Sequence, residues 1–273
     1  MKYSMPRLIS VTGLSNRIIA CLDVKANFVV KGTQFRNLTN VGDPIALANS
    51  YSFSGADELC LLNVNLSAAN ERITFNTIEQ ISQNCFIPLT VGGGVRRVKD
   101  VELLLRAGAD KVAINSASVH NPGLIAKCVN KFGSQCIVAS IDCKASNGSW
   151  EVFTYGGLRS TGIDAIKHIC MMEQLGVGEI LLTSMDKDGT KTGFDILLLK
   201  LATSLVSIPV IASGGFGFPH HAAMALIDGG ASAILIASQL HQNQCSISQI
   251  KFLLGRCGVL VRDDYVRLGL YDE

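Results

Sequence analysis

Two aspartates occupy matching positions in a pattern that the chain contains twice. Asp23 lies in the segment ACLDVK, and Asp142 lies in the segment ASIDCK, 119 positions later. Each aspartate follows a short apolar run of the kind that forms a buried strand. Two carboxylates in different environments can divide general acid and general base work between them. We therefore interpret Asp23 and Asp142 as a catalytic pair; the alternative is that each only caps a neighbouring loop.

A pair of glycines recurs at nearly the same offset. Gly93 and Gly94 lie in PLTVGGGV, and Gly214 and Gly215 lie in PVIASGGF, 121 positions later. Glycine lets the backbone approach a phosphate closely, and the N-terminus of a following helix supplies N–H donors. One such pair would indicate only a tight turn. Two pairs related by a repeat predict a substrate with a phosphate at each end.

Two further matches extend the repeat. The segment GADEL pairs with GVGEI, and Asn115-Ser116 pairs with Ala237-Ser238. A period of nearly 120 residues is far too long for a solenoid repeat. It predicts two equivalent halves that close around one site. Each half brings one carboxylate and one phosphate turn, with Asn115, Ala237 and Ser238 beside the phosphates.

Short apolar runs alternate with amphipathic segments along the whole chain, which is typical of β/α units. Eight such units in two halves predict an α/β fold: a single (β/α)₈ TIM barrel built from two duplicated half-barrels. We expect a short leader over residues 1–16, the barrel over 17–262 and a tail over 263–273. The eight predicted strands are Ile18–Val24, Glu58–Val64, Leu89–Gly92, Lys111–Ile114, Cys136–Ile141, Glu179–Ser184, Val210–Ala212 and Ala233–Ile236.

The barrel fixes where the candidate site should lie. In this fold the active site forms at the carboxyl ends of the strands, and the region after strands 7 and 8 commonly binds phosphate. Asp23 and Asp142 are predicted to end strands 1 and 5, which face each other across the ring. The polar stretch Ala26–Gly42 follows strand 1, and we interpret this long insertion as a mobile lid.

Four charged residues stand at the starts of predicted strands, at the opposite end of the barrel. Strand alternation places three of them on the same face as the predicted pocket residues, and the fourth, Glu58, follows from its repeat partner Glu179. We expect a ring of two positive and two negative charges at the barrel floor. Either it is a structural ion-pair plug, or it gates a passage through the core. Its members are Arg17, Glu58, Lys111 and Glu179.

Composition excludes several classes of protein. The chain has 273 residues, 48% hydrophobic and 17% charged, and its net charge of +2 does not suggest a nucleic-acid partner. The uncharged stretch Leu201–Ile227 is interrupted by prolines, glycines and histidines, so we predict no membrane span. The nine cysteines lack zinc spacing, and we expect reduced core residues in a cytoplasmic protein without a metal or cofactor.

These residues resemble the cyclase subunits of imidazole glycerol phosphate synthase, an enzyme of histidine biosynthesis. The resemblance extends from about Asn16 to Arg262 and rests on long motifs. They are RIIACLDVK from Arg17, VKG from Val30, LTVGGGV from Leu89, ADKVAINS from Ala109 and EILLTSMDKDGTKTG from Glu179.

The resemblance implies a reaction and a partner. A separate glutaminase subunit docked at the barrel floor would send ammonia through the four-charge gate to the mouth. There it would meet a bisphosphorylated ribulosyl-formimino aminoimidazole carboxamide ribonucleotide, which is converted to imidazole glycerol phosphate and the carboxamide ribonucleotide. The family's catalytic pair falls on Asp23 and Asp142 and its lid lysine on Lys31, while its motifs add Thr183 and Asp188 to the substrate-binding residues.

One segment departs from the family pattern. After strand 2 the usual Leu-Asp-Ile-Thr is LNVN, so Asn63 and Asn65 replace a carboxylate and a hydroxyl. An amide keeps its hydrogen bonds but cannot act as a base. This leaves open a related subunit that helps an amidotransferase modify surface-polysaccharide sugars. A non-catalytic glutaminase-binding protein is a second alternative, but it predicts loss of the aspartates, which are both present.

Overall fold

The computed structural model describes residues 14–25, 28–33, 36–64 and 75–262. The strands are β1 (Arg17–Lys25), β2 (Phe28–Thr33), β3 (Arg36–Gly42), β4 (Glu58–Asn63), β5 (Leu89–Gly92), β6 (Lys111–Ile114), β7 (Ile137–Ser146), β8 (Ser149–Thr154), β9 (Arg159–Asp164), β10 (Glu179–Ser184), β11 (Val210–Ser213) and β12 (Ala233–Ile236). The helices are α1 (Pro44–Phe53), α2 (Phe75–Asn84), α3 (Val98–Arg106), α4 (Ser116–His120), α5 (Pro122–Phe132), α6 (Ala165–Gln174), α7 (Ile196–Leu205), α8 (Pro219–Ala223), α9 (Ser238–His241) and α10 (Ile247–Arg256).

Eight parallel strands close into a barrel in the order β1, β4, β5, β6, β7, β10, β11 and β12. The last of them pairs with the first, where Arg17 is in register with Ala233. The predicted (β/α)₈ barrel is confirmed. Its first and fifth strands, β1 and β7, carry Asp23 and Asp142, as the eight predicted runs require.

Strand alternation divides the core into two parts. Side chains that point outward from the strands pack against the surrounding helices and form the larger cluster, in which Ile18, Leu59 and Ile180 are fully buried. Side chains of the other parity fill the barrel interior with a smaller apolar cluster. Its buried members are Ile19, Cys21, Cys60, Ala113, Val138, Leu181, Ile211, Ala233 and Leu235. The pocket residues at the strand ends share the parity of this inner cluster.

The segment after β1 differs from the prediction of a polar loop. Its described part forms an antiparallel hairpin of β2 and β3, in which the apolar Val29 and Val30 are buried. A second hairpin, of β8 and β9, follows β7 in the other half. The repeat therefore includes both hairpins, and each hairpin is followed or ended by an aspartate that caps the next helix. Asp43 accepts a hydrogen bond from the backbone N–H of Ala46 at 2.8 Å, and Asp164 accepts one from the backbone N–H of Lys167 at 3.0 Å.

The first and last described segments of the chain meet next to β1. The backbone N–H of Asn16 donates to the carbonyl oxygen of Leu260 at 2.7 Å, and Asn16 forms a bridge with Val261. Among the helices that the structure describes, none is long and apolar enough to cross a membrane.

Candidate active site

Asp142 lies near the carboxyl end of β7 and points into the barrel mouth. Its Oδ2 accepts a hydrogen bond from Nδ2 of Asn115 at 2.8 Å, and the side chain of Thr183 also bonds to it. Strand β7 continues past Asp142 to Ser146, further than the predicted end, because it pairs with β8. The structure therefore brings Asp142, Asn115 and Thr183 together from three neighbouring barrel strands.

Asp23 faces the same mouth from β1. Its Oδ1 accepts a weak bond from Sγ of Cys21 at 3.6 Å. Burial raises the pKa of Asp23, the ammonium of Lys31 opposes the shift, and the carboxylate of Asp188 adds to it. The charges of Lys31, in strand β2, and of Asp188, in the loop after β10, therefore both act on this carboxylate.

The two aspartates have different electrostatic surroundings. Burial raises the pKa of Asp142 to about 7; the hydrogen bond from Asn115 opposes the rise, and the negative charges of Asp188 and Asp23 reinforce it. For Asp23 the cation of Lys31 is the largest opposing influence. Near neutral pH, Asp142 can therefore hold a proton, whereas Asp23 has the cation of Lys31 beside it to oppose its raised pKa. An acid–base pair requires such a difference of environment.

Lys31 projects from hairpin strand β2 across the mouth of the barrel. Its Nζ lies 3.9 Å from Oδ1 of Asp188, and both side chains are largely buried. Lys31 lines a cleft of about 430 Å³ together with Ser238 and Lys191. The cleft is rich in donors for an anion, and it connects the hairpin with the predicted phosphate region after β12.

The first glycine turn follows β5. Gly93 and Gly94 have φ values of +96° and +74°, a conformation that L side chains rarely adopt. A Cβ on Gly93 would stand 2.4 Å from the carbonyl oxygen of Asn63, whereas one on Gly94 would meet nothing within 4 Å. Gly93 is thus required for packing, and Gly94 leaves an open space where a ligand can approach the backbone.

The second turn repeats this backbone after β11. Gly214 and Gly215 have φ values of +89° and +104°. A Cβ on Gly214 would stand 2.6 Å from the carbonyl oxygen of Ser184, which is the repeat partner of Asn63. On Gly215 it would stand 2.1 Å from the carbonyl oxygen of Gly193. The two turns therefore share a backbone, but the second is covered by the loop that carries Asp188.

Two short helices complete the repeated arrangement. Asn115 precedes α4 with φ −107° and ψ −97°, and Ala237 precedes α9 with φ −125° and ψ −76°. Ser116 and Ser238 are the first residues of the two helices. The backbone is thus similar at both positions, and each helix begins directly after a barrel strand, where helix N-termini favour anions.

The four charges at the floor form a closed ring. Nζ of Lys111 lies 3.0 Å from Oε2 of Glu58 and 3.0 Å from Oε2 of Glu179. Nη1 of Arg17 lies 2.8 Å from Oε1 of Glu58, and its Nη2 contacts Glu179. Burial works against the charge of Arg17, but its bonds to the two glutamates outweigh burial and raise its pKa. Each cation thus contacts both anions, and the role of the ring as a gate remains a prediction.

The comparisons with known proteins agree with this geometry. A sequence model of the histidine biosynthesis protein family matches residues 17–246. The chain belongs to this family. It is also 51% identical, over 249 residues, to the protein called imidazole glycerol phosphate synthase subunit HisF of Hyphomonas neptunium (strain ATCC 15444), and the match covers 91% of this chain and 99% of that protein. This favours the histidine-pathway interpretation over the sugar-modifying alternative.

Sequence reasoning missed one contact beside the cleft, between Tyr51 and His241. The Tyr51 hydroxyl and Nδ1 of His241 lie 2.6 Å apart, while Nε2 of His241 is buried without a protein partner among the described residues. Burial, with the nearby Lys31, lowers the pKa of His241 to about 4. The two side chains are 190 positions apart, so no local pattern indicates the contact.

Asn63 lies behind the first glycine turn rather than in the mouth. It lines a cavity of about 20 Å³ beside Gly93 and Gly94. Asn63 is five positions after the inward-facing Glu58 on β4, so strand alternation directs its side chain away from the barrel interior. The change from the family's carboxylate therefore affects the support of the turn, and both candidate catalytic aspartates are retained.

Proposed function

We propose that this chain is the cyclase subunit of imidazole glycerol phosphate synthase. It uses ammonia to convert the bisphosphorylated ribulosyl-formimino aminoimidazole carboxamide ribonucleotide into imidazole glycerol phosphate and the carboxamide ribonucleotide. The observation that carries the proposal is a pair of buried aspartates in two different environments: Asp142, with a pKa of about 7, shares the mouth with Asp23, whose raised pKa is opposed by the cation of Lys31. The 51% identity to the Hyphomonas protein supports the same proposal.

The pair divides the proton transfers. The ammonia nitrogen loses its protons as it bonds to the ketone carbon and to the formimino carbon, and the ketone oxygen leaves as water. The departing amino nitrogen of the aminoimidazole carboxamide ribonucleotide must gain one proton. Asp142 is the donor to the leaving nitrogen, because desolvation keeps its proton available near neutral pH. Asp23 is the acceptor. The hydrogen bonds from Asn115 and Thr183 hold the Asp142 carboxyl in one orientation and stabilise it after it has lost its proton.

The two ends of the substrate are held by the two halves of the barrel. One phosphate binds at Gly93 and Gly94 with the start of α4, and the other binds at Gly214 and Gly215 with the start of α9. Positive-φ glycines expose backbone N–H groups. Lys31 supplies a cation from the hairpin, within the cleft that Ser238 also lines.

Ammonia enters from the floor. The partner is a glutaminase subunit that docks at the N-terminal end of the barrel, and the complex works in the cytoplasm. The ring of Arg17, Glu58, Lys111 and Glu179 is neutral overall, so it can admit a neutral molecule while opposing ions. Above it the inner cluster includes the small residues Cys21, Cys60 and Ala113, which leave less bulk along the axis than leucine or isoleucine would.

Turnover of the bisphosphate substrate with an ammonium salt alone tests the proposal. The isolated chain should form imidazole glycerol phosphate without any glutaminase, because all reacting groups lie at its own mouth. Asp43→Asn is the control, since it removes an exposed carboxylate at the N-cap of α1 that does not line the cleft and replaces it with another good cap. Absence of product at saturating ammonia, with the protein folded, would contradict the assignment.

A further inference from the structure

His221 makes the same contact in the second half of the barrel that Asp100 makes in the first. Both residues are at the third position of the helix that follows a glycine pair. Oδ2 of Asp100 accepts from the backbone N–H groups of Arg96 and Arg97 at 3.0 and 2.9 Å. Nδ1 of His221 accepts from those of Gly217 and Phe218 at 3.1 and 3.3 Å. The repeat has therefore kept a double acceptor while changing its chemistry from carboxylate to imidazole.

This contact requires one protonation state of the ring. Backbone N–H groups only donate, so Nδ1 must present a lone pair, and any proton on the ring must be on Nε2. Burial, with the adjacent ring of His220, lowers the pKa of His221 and favours this neutral form. The ring is buried, whereas that of His220 is exposed.

The segment that His221 holds is packed against the loop carrying Asp188. The N–H of Gly193 donates to the carbonyl oxygen of Gly215 at 2.9 Å. A Cβ on Gly217 would stand only 2.2 Å from the carbonyl oxygen of Lys191. The ring of His221 also lies beside Gly193. A shift of the segment 214–218 would therefore displace the loop, and with it the carboxylate of Asp188 that faces Lys31.

We propose that His221 is a positioning residue for the second phosphate turn. Its Nδ1 holds the N–H groups of Gly217 and Phe218, and this contact fixes the distance between the turn at Gly214 and Gly215 and the loop that carries Asp188. The inference rests on the proposed function, because it assumes that a phosphate binds at this turn. His221 itself does not contact the substrate.

A pair of substitutions of similar volume tests the role. His221→Gln keeps an acceptor at the third helical position, where Gln249 already accepts from the N–H of Ser246 at 2.9 Å in helix α10. His221→Met fills similar space without an oxygen or nitrogen acceptor. Losing the two hydrogen bonds should raise KM for the bisphosphate about tenfold in the Met variant, with a smaller change in kcat. The Gln variant should stay within about threefold of the parent chain.

Two further measurements separate positioning from a general loss of structure. Hydrogen exchange should become faster at the amides of Gly217 and Phe218 in His221→Met and stay slow in His221→Gln. Calorimetry with inorganic phosphate should lose one of two binding sites in the Met variant only. Asp43→Asn, at an exposed helix cap in the other half of the barrel, is the control and should change none of these values.

The outcomes are distinguishable from failure of the proposed function. If the parent chain binds no phosphate and turns over no substrate, the proposed function fails. If the parent binds two phosphates and the Met variant has the parent's KM, the positioning role is overturned. If His221→Met does not fold, the Gln variant still decides, because a folded Gln variant with a tenfold higher KM also overturns the role.

Discussion

Replacing Asp142 by Asn should make the protein more stable while it abolishes turnover. The side chain of Asp142 is buried, and its pKa is raised from an ordinary value of 3.8 to about 7, first by burial and then by the charges of Asp188 and Asp23. A carboxylate with a raised pKa is destabilising to the folded state whenever it is ionised. Asn keeps the size of the side chain and an oxygen that can accept from Asn115.

The magnitude follows from the two pKa values. The folded protein holds a proton on Asp142 that the unfolded chain loses above pH of about 4, so stability falls as pH rises from about 4 to 7. At about 1.4 kcal/mol per pKa unit, the whole difference corresponds to roughly 4 kcal/mol above pH 7. We expect Asp142→Asn to gain about 1–2 kcal/mol at pH 5 and up to about 4 kcal/mol at pH 8.

Urea unfolding of the parent chain and of Asp142→Asn at several pH values measures this gain. Asp43→Asn is the matched control, because its carboxylate is an exposed helix cap that Asn replaces well. Ammonium-dependent turnover of Asp142→Asn should fall by roughly 10²–10⁴-fold. A variant that is less stable than the parent at pH 8, or a difference that does not grow with pH, would refute the desolvated-acid assignment of Asp142.

Three further outcomes test the rest of the site. Asp23→Asn should lower ammonium-dependent kcat by roughly 10²–10⁴-fold with KM nearly unchanged, and normal kcat would remove Asp23 from the pair. Gly94→Ala should weaken phosphate binding and lower the melting temperature slightly. Gly215→Ala should lower the melting temperature much more, because its Cβ would stand 2.1 Å from the carbonyl oxygen of Gly193; equal melting temperatures would contradict this difference. Lys111→Met leaves two glutamates facing one cation, so glutamine-dependent turnover with the glutaminase should fall more than ammonium-dependent turnover, and equal losses would leave the ring a structural plug.

The barrel could be predicted from the sequence because each of its strands is a short apolar segment that can be recognised locally, and because the pattern occurs twice. Four strands have the predicted bounds: Leu89–Gly92, Lys111–Ile114, Glu179–Ser184 and Ala233–Ile236. Each is a short apolar run, which must be buried wherever it lies in the chain. The hairpins were not predicted. Strands β3 and β9 are largely polar, the apolar runs of β2 and β8 are only two or three residues long, and the pairing of β2 and β8 depends on the extended ends of β1 and β7.

The sequence by itself determined which residue types stand at matching positions of the two halves. The spacing of Asp23 and Asp142, of the two glycine pairs and of the floor glutamates Glu58 and Glu179 follows from the duplication. Strand parity then places Arg17 and Lys111 on the inward face with the aspartates. Only the tertiary structure decided their chemistry. Desolvation of Asp142, the approach of Lys31 to Asp188 and the contact of His221 with its backbone donors depend on how loops from different strands meet when the barrel closes. Such contacts join residues with no fixed sequence separation, and the energy of a buried charge depends on everything packed around it.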